Sequence, residues 1–152
     1  MRGVWLLVHV IGFTLWLGGG IATMVAGVAA KGFGAAERLS AYRLIGAIQK
    51  ILVGPGAIAV VLSGIFLAQP YMKAGTVPGW LGVMMISGIL GALGAVGISV
   101  PTAARLARLQ PPPEGGQLPA AFQTLRKRQI FAATIAGTFG LIAMFAATLG
   151  RG

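Results

Sequence analysis

The chain has no cysteine, no aspartate, a single histidine (His9) and two glutamates, Glu37 and Glu114. Each scarcity excludes something. Without cysteine there are no disulfides, thiolate nucleophiles, cysteine-held zinc or iron–sulfur ligands. Two glutamates far apart in sequence nearly exclude acid–base chemistry built on paired carboxylates. No carboxylate, lysine or arginine falls inside a long apolar stretch to offer an ion or proton relay. One histidine rules out bis-histidine haem ligation within one chain. Charged residues make up 9% of the sequence, against about a quarter in an ordinary soluble domain.

What fills the space is apolar. Of 152 residues, 57% are hydrophobic, and the mean hydropathy is +0.88. A chain of one-domain size cannot bury that much apolar surface in its own core, so the solvent it suits is lipid. Four stretches are free of Lys, Arg, Asp and Glu: Gly3–Ala30, Ile51–Met72, Ala74–Ala104 and Gln129–Gly150. About 20 apolar residues cross the hydrocarbon layer as a helix. Backbone polar groups must be satisfied internally there, which leaves helices or closed barrels. No period-2 alternation marks strands. The expected fold is therefore all-α: a four-helix transmembrane bundle, one integral membrane domain over 1–152, with spans at about 4–29, 47–70, 78–100 and 129–149. The first apolar stretch is too long for the roughly 7–15-residue core of a signal peptide, so it is read as a span.

A net charge of +10 raises nucleic acid as a partner, but the cations sit in the gaps between apolar runs. That placement points to anionic lipid headgroups, not nucleic acid. Arg2, Lys73 and Arg151 share one side. Lys31, Arg38, Arg43, Lys50, Arg105, Arg108, Arg126, Lys127 and Arg128 share the other. The bias predicts a multi-pass protein of the inner (cytoplasmic) membrane, loops one and three cytoplasmic and both termini outside. Trp5, Tyr71 and Trp80 then fall at the outer interface, where amphipathic rings belong.

Helix formers from Ala35 onward suggest that the first loop runs directly into span two. Pro101 is expected to end span three, with "TAARLARL" as a short basic amphipathic turn at the headgroups. "QPPPEGGQLP" reads as a mobile linker. A weak echo pairs "AAERL" with "TAARL", and "AYRL…QKI" with "AFQTL…RQI", which is either a duplicated two-helix unit or chance.

Twenty-five glycines give close-packing faces: Ser87-x-x-x-Gly91, the Gly88–Gly91–Gly94–Gly97 series, Ala133-x-x-x-Gly137 and Ala136-x-x-x-Gly140. They are read here as packing within the bundle, with a homo-oligomer or a larger membrane complex as the alternative. Gly54-Pro55-Gly56 predicts a kink in span two, because Pro55 removes a donor and clashes with the Ile51 carbonyl.

His9 lies on a stripe with Gly12, Phe13, Trp16, Gly19, Gly20, Thr23 and Gly27, at steps of three or four. An ionisable residue in a span normally faces the bundle interior or water. Three readings are open for it: a structural hydrogen bond to a carbonyl or Ser/Thr across helices, an axial ligand to haem b walled by Phe13 and Trp16, or one ligand of a copper or zinc site. Met24, Met84, Met85 and Met144 are the remaining soft donors, and such residues also serve as core filler.

"LLVHVIGFTLWLGGGI", the basic loop leading into "ILVGPGAIAVVLSGIFL", and "LRKRQ" before the last span resemble a loose group of small membrane proteins. The group comprises a four-helix family of unassigned function, the membrane part of CopD-type copper-resistance proteins, and HemJ-type protoporphyrinogen oxidases. The resemblance implies the four-helix fold. It would make His9 the first-helix histidine, a haem ligand in HemJ-type members, with Trp16 and Gly19 as structural companions. The sequence thus leads first to a non-catalytic membrane component that packs with itself or a larger complex, with haem b-binding redox and copper handling as alternatives.

Overall fold

A computed structural model describes residues 1–113 and 116–150. Among these the chain is entirely helical and connecting segment. Helix α1 spans Arg2–Ala29 and ends in a 3-10 turn, Ala30–Gly32. Helix α2, Ala35–Ile48, runs through a π-helical turn, Gln49–Val53, into α3, Gly54–Lys73. Helix α4, Gly79–Gly94, runs through a second π turn, Ala95–Ser99, into α5, Val100–Ala107. Helix α6 spans Ala120–Leu149. Four continuous helical rods result, at Arg2–Gly32, Ala35–Lys73, Gly79–Ala107 and Ala120–Leu149, each long and apolar enough to cross a membrane. Large apolar side chains such as Val4, Leu7, Ile21, Ile86 and Phe131 point outward. That is the pattern of a bundle whose outside is lipid.

The first loop does run into span two, since the helix starts at Ala35 and reaches Lys73 without interruption. The fourth rod begins at Ala120, nine residues earlier than the charge-free stretch that marks its span. Pro101 does not end span three. It sits in the first turn of α5, where its missing N–H falls just after the wide turn and interrupts no standard bond. The "TAARLARL" segment is correspondingly not a free amphipathic turn. Thr102, Ala103 and Leu106 are buried and α5 packs on α2. The disturbance expected at Pro55 takes the form of the preceding π turn, which widens the helix over the stretch containing Ile51. Residues 109–119 carry no helix where described; Glu114 and Gly115 of the expected linker, and Arg151 of the charge tally, lie outside the described residues.

The rods pack mainly as two pairs, α1 on α3 and α4 on α6, joined by α2 on α5 and by α3 on α4. Glycine sets the closest approach. A Cβ at Gly56 would lie 2.7 Å from the Gly12 oxygen and 2.8 Å from the Trp16 nitrogen, so α1 and α3 meet backbone to backbone. At Gly91 an added Cβ would strike the Trp16 ring at 2.8 Å and the Ala136 oxygen at 3.1 Å. The predicted small-residue faces of spans three and four are thus partly used inside the bundle: Gly91, Ala136 and Gly140 are buried, while Gly97 is exposed.

Two apolar cores follow. The first gathers Trp16, Val53, Ala57, Val60, Ala92, Ala95 and Ala136. The second, at the end carrying loops one and three, gathers Leu39, Tyr42, Ile45, Leu106 and Phe122. Tyr42 meets Phe122 edge-on at 5.0 Å, and the Arg38 guanidinium lies 5.3 Å over the Phe122 ring. At the opposite end Trp5 stacks on Phe66 at 4.1 Å and Tyr71 meets Trp80 at 6.1 Å, so the three predicted interface aromatics share one end.

Candidate functional site

The α1 stripe faces inward as the spacing requires. Gly12, Trp16, Gly19 and Thr23 are buried; His9, Phe13, Gly20 and Gly27 are half-buried. Phe13 and Trp16 meet edge-on, ring centres 6.4 Å apart. The stripe serves two different places.

At its N-terminal part, His9 Nδ1 lies 3.0 Å from Ser63 Oγ on α3. Ser63 Oγ also lies within hydrogen-bonding distance of the Ala59 and Val60 carbonyls of its own helix. When the Ser63 proton goes to one of those carbonyls, its oxygen accepts from the histidine and Nδ1 carries the hydrogen. In the neutral ring the lone pair is then on Nε2. A carbon at Gly64 would sit 3.3 Å from His9 Cε1, so this glycine makes room for the ring. The structural reading of His9, a Ser/Thr partner across helices, is what the geometry displays.

His9 borders a cleft of about 210 Å³ with Phe13, Trp16, Met84, Met85 and Met144. Three of the four methionines noted in the sequence gather here; Met24 lies elsewhere, by a different opening. The donor set, one imidazole and three thioethers, is soft, and it suits monovalent copper better than zinc. No cluster of three or more His, Cys, Asp or Glu occurs among the described residues. Haem fits less well. Ligand pockets usually run to about 300–1,000 Å³, this cleft is smaller, and a porphyrin is a large rigid plane. Phe13 and Trp16 make the expected aromatic wall, but the close α1–α3 contact at Gly12 and Gly56 fixes one side of it. Gly19, the proposed companion, is used in packing: a Cβ there would meet Val53 at 2.9 Å.

The second place was not recognised in the sequence. Four polar side chains from the four rods meet in the interior. Gln129 Nε2 donates to Ser99 Oγ at 3.0 Å, and Ser99 donates to Gln49 Oε1 at 3.2 Å. Gln49 Nε2 donates to Thr23 Oγ1 at 3.1 Å, and Thr23 donates to the Gly20 carbonyl at 2.9 Å. Gln49 opens the first π turn and Ser99 closes the second. All four residues are buried, and Gln129 Oε1 alone has no hydrogen-bond partner in this chain of donors. The signal that pointed here was the echo of "AYRL…QKI" and "AFQTL…RQI": setting Ala41 against Ala121 sets Gln49 against Gln129.

Comparison with protein-family models, curated proteins and solved structures finds no match for this chain.

Proposed function

We propose that the protein is a non-catalytic component of the inner membrane that holds a soft ligand, monovalent copper, at His9. The supporting observation is the seat Ser63 gives the imidazole: with its hydroxyl on a carbonyl of its own helix, it accepts from Nδ1–H. That tautomer leaves the Nε2 lone pair for a ligand, in a cleft that Met84, Met85 and Met144 also line. An outer partner that fixes the tautomer of a ligating histidine is the usual second element of such sites. His9 would be the nitrogen ligand, and Met84, Met85 and Met144 the candidate sulfur ligands. Loops one and three lie in the cytoplasm in this reading, so the cleft opens toward the outer half of the bilayer.

The experiment is anaerobic titration of purified protein with copper(I) against a chromophoric chelator. One equivalent should bind, with affinity falling at least 100-fold in His9→Ala. Equal retention by the variant would overturn the proposal. A haem-replete preparation with a Soret band abolished by His9→Ala would replace copper with haem b.

A further inference from the structure

Between α1 and α6 lies a second opening, a groove of about 420 Å³ floored by the buried amide chain. Gly20 and Gly137 stand on its two walls, and a Cβ at either would meet nothing within 4 Å. These two glycines therefore serve no close helix contact; their effect is to keep the groove open. Its walls are mostly apolar, with Ile21, Met24 and Leu141 among them, and carry Thr134 and Thr138 on the α6 side. Its two cations, Lys31 and Arg126, are both at the end that carries loops one and three. Arg126 uses Nε on Tyr42 at 2.9 Å, which fixes the guanidinium and leaves its terminal N–H groups.

From Arg126 to Leu141 the groove follows about 22 Å of helix at about 1.5 Å per residue. Half a bilayer with its headgroups measures about 20–22 Å. The groove therefore runs from headgroup level to near the bilayer centre. Gln129, 95% buried, lines the groove one turn inside Arg126, their Cβ atoms about 5–6 Å apart, and its covered Oε1 has no hydrogen-bond partner.

We propose that this groove binds a single-chain glycerophosphate lipid, a lysophospholipid. Its acyl chain occupies the apolar walls and its phosphate meets Lys31 and Arg126. Its free glycerol hydroxyl, close to the phosphate, donates to Gln129 Oε1 as that side chain turns toward the groove. A diacyl lipid has that hydroxyl esterified and cannot make the bond. The site is separate from the His9 cleft, and the inference does not rest on copper binding there.

The test is native mass spectrometry of the full chain in detergent, titrated with 1-palmitoyl lysophosphatidic acid. One equivalent should bind. Dipalmitoyl phosphatidic acid should bind at least tenfold more weakly, and the zwitterionic lysophosphatidylcholine at least fivefold more weakly. Gly137→Phe should abolish binding by filling the groove, Gly20→Leu should do the same from the opposite wall, and Lys31→Gln should weaken it about fivefold. His9→Ala should leave it unchanged. Binding that survives both groove-filling variants, or equal binding of the diacyl lipid, overturns the proposal. So does a dimer that either groove-filling variant dissociates, since a second copy would then be the occupant.

Discussion

Ser99→Ala tests whether the buried amide chain is an inter-helix tie. The hydroxyl is 1% exposed and joins two rods to its own, accepting from Gln129 at 3.0 Å and donating to Gln49 at 3.2 Å. Its removal strands a donor on Gln129 and an acceptor on Gln49, both on buried side chains. Side-chain hydrogen bonds between membrane helices average about 0.6 kcal/mol and reach about 1.7 kcal/mol. Two such bonds, both buried, give an expected loss of about 2 kcal/mol. The comparison is Ser87→Ala. Ser87 is also buried in the third rod, but its hydroxyl bonds only the Val83 and Met84 carbonyls of its own helix. Those carbonyls already accept within the helix, so the expected loss is under about 0.5 kcal/mol. Reversible unfolding by SDS in mixed micelles, followed by circular dichroism, measures both. A cycle with Gln49→Leu should show a coupling of about 1 kcal/mol, because the second change removes the stranded acceptor. Equal losses for Ser99→Ala and Ser87→Ala, with no coupling, would refute the reasoning.

Three further outcomes are expected. Gly56→Ala should destabilise by about 1–3 kcal/mol, since the new methyl meets backbone atoms of α1 that have no rotamer to yield. Gly18→Ala, with open space around it, should be neutral or stabilise by up to about 1 kcal/mol through helix propensity; the same SDS titration reads both. Ser63→Ala should lower copper(I) affinity about 10–100-fold without removing a ligand, as loss of an outer hydrogen-bond partner does, measured by chelator competition. Tyr42→Phe should cost about 0.5–1.5 kcal/mol through loss of the Arg126 bond, and it should raise proteolytic nicking near residues 109–119 if that end of α6 loosens.

What the sequence displayed was whatever depends on period and composition. The four rods follow from charge-free length. The inward stripe on α1 follows from steps of three and four, and the helix from Ala35 into span two follows from its helix formers. Pro101 misled because the effect of a proline depends on what precedes it. Pro101 looks like a stop when read alone, yet a π turn ahead of it absorbs the missing donor, and the helix continues eight residues past Ser99. The amide chain was hidden for another reason. Gln49 and Gln129 each stand beside a basic residue, Lys50 and Arg128, at the edge of a span. By composition they belong to the loops. Only the packing of α2 and α6 shows that these side chains turn inward while the neighbouring cations, both exposed, turn out. The His9 cleft was half legible: the imidazole and its aromatic neighbours share one helix, whereas Ser63 and the methionines come from three others.

The two π turns have one cause and one consequence. Each ends two residues before a proline, Pro55 after Val53 and Pro101 after Ser99. A proline ring pushes against the carbonyl four residues back, here that of Ile51 and of Gly97, and both carbonyls lie inside the widened turn. An extra residue in the turn relieves that clash without breaking the rod. It also shifts the register of the side chains beyond it by roughly a quarter turn, about 100°. Gln49 and Ser99 sit at the margins of these two shifts, and they are the pair that bond each other at the centre of the amide chain. The prolines thereby place polar groups in the interior of a bundle built almost wholly of apolar residues. Replacing Pro55 or Pro101 by alanine should let the turn revert to ordinary α-helix, rotating Gln49 relative to Ser99. A structure of either variant that keeps both the π turn and the Gln49–Ser99 bond would show that the turns are set by packing, not by proline.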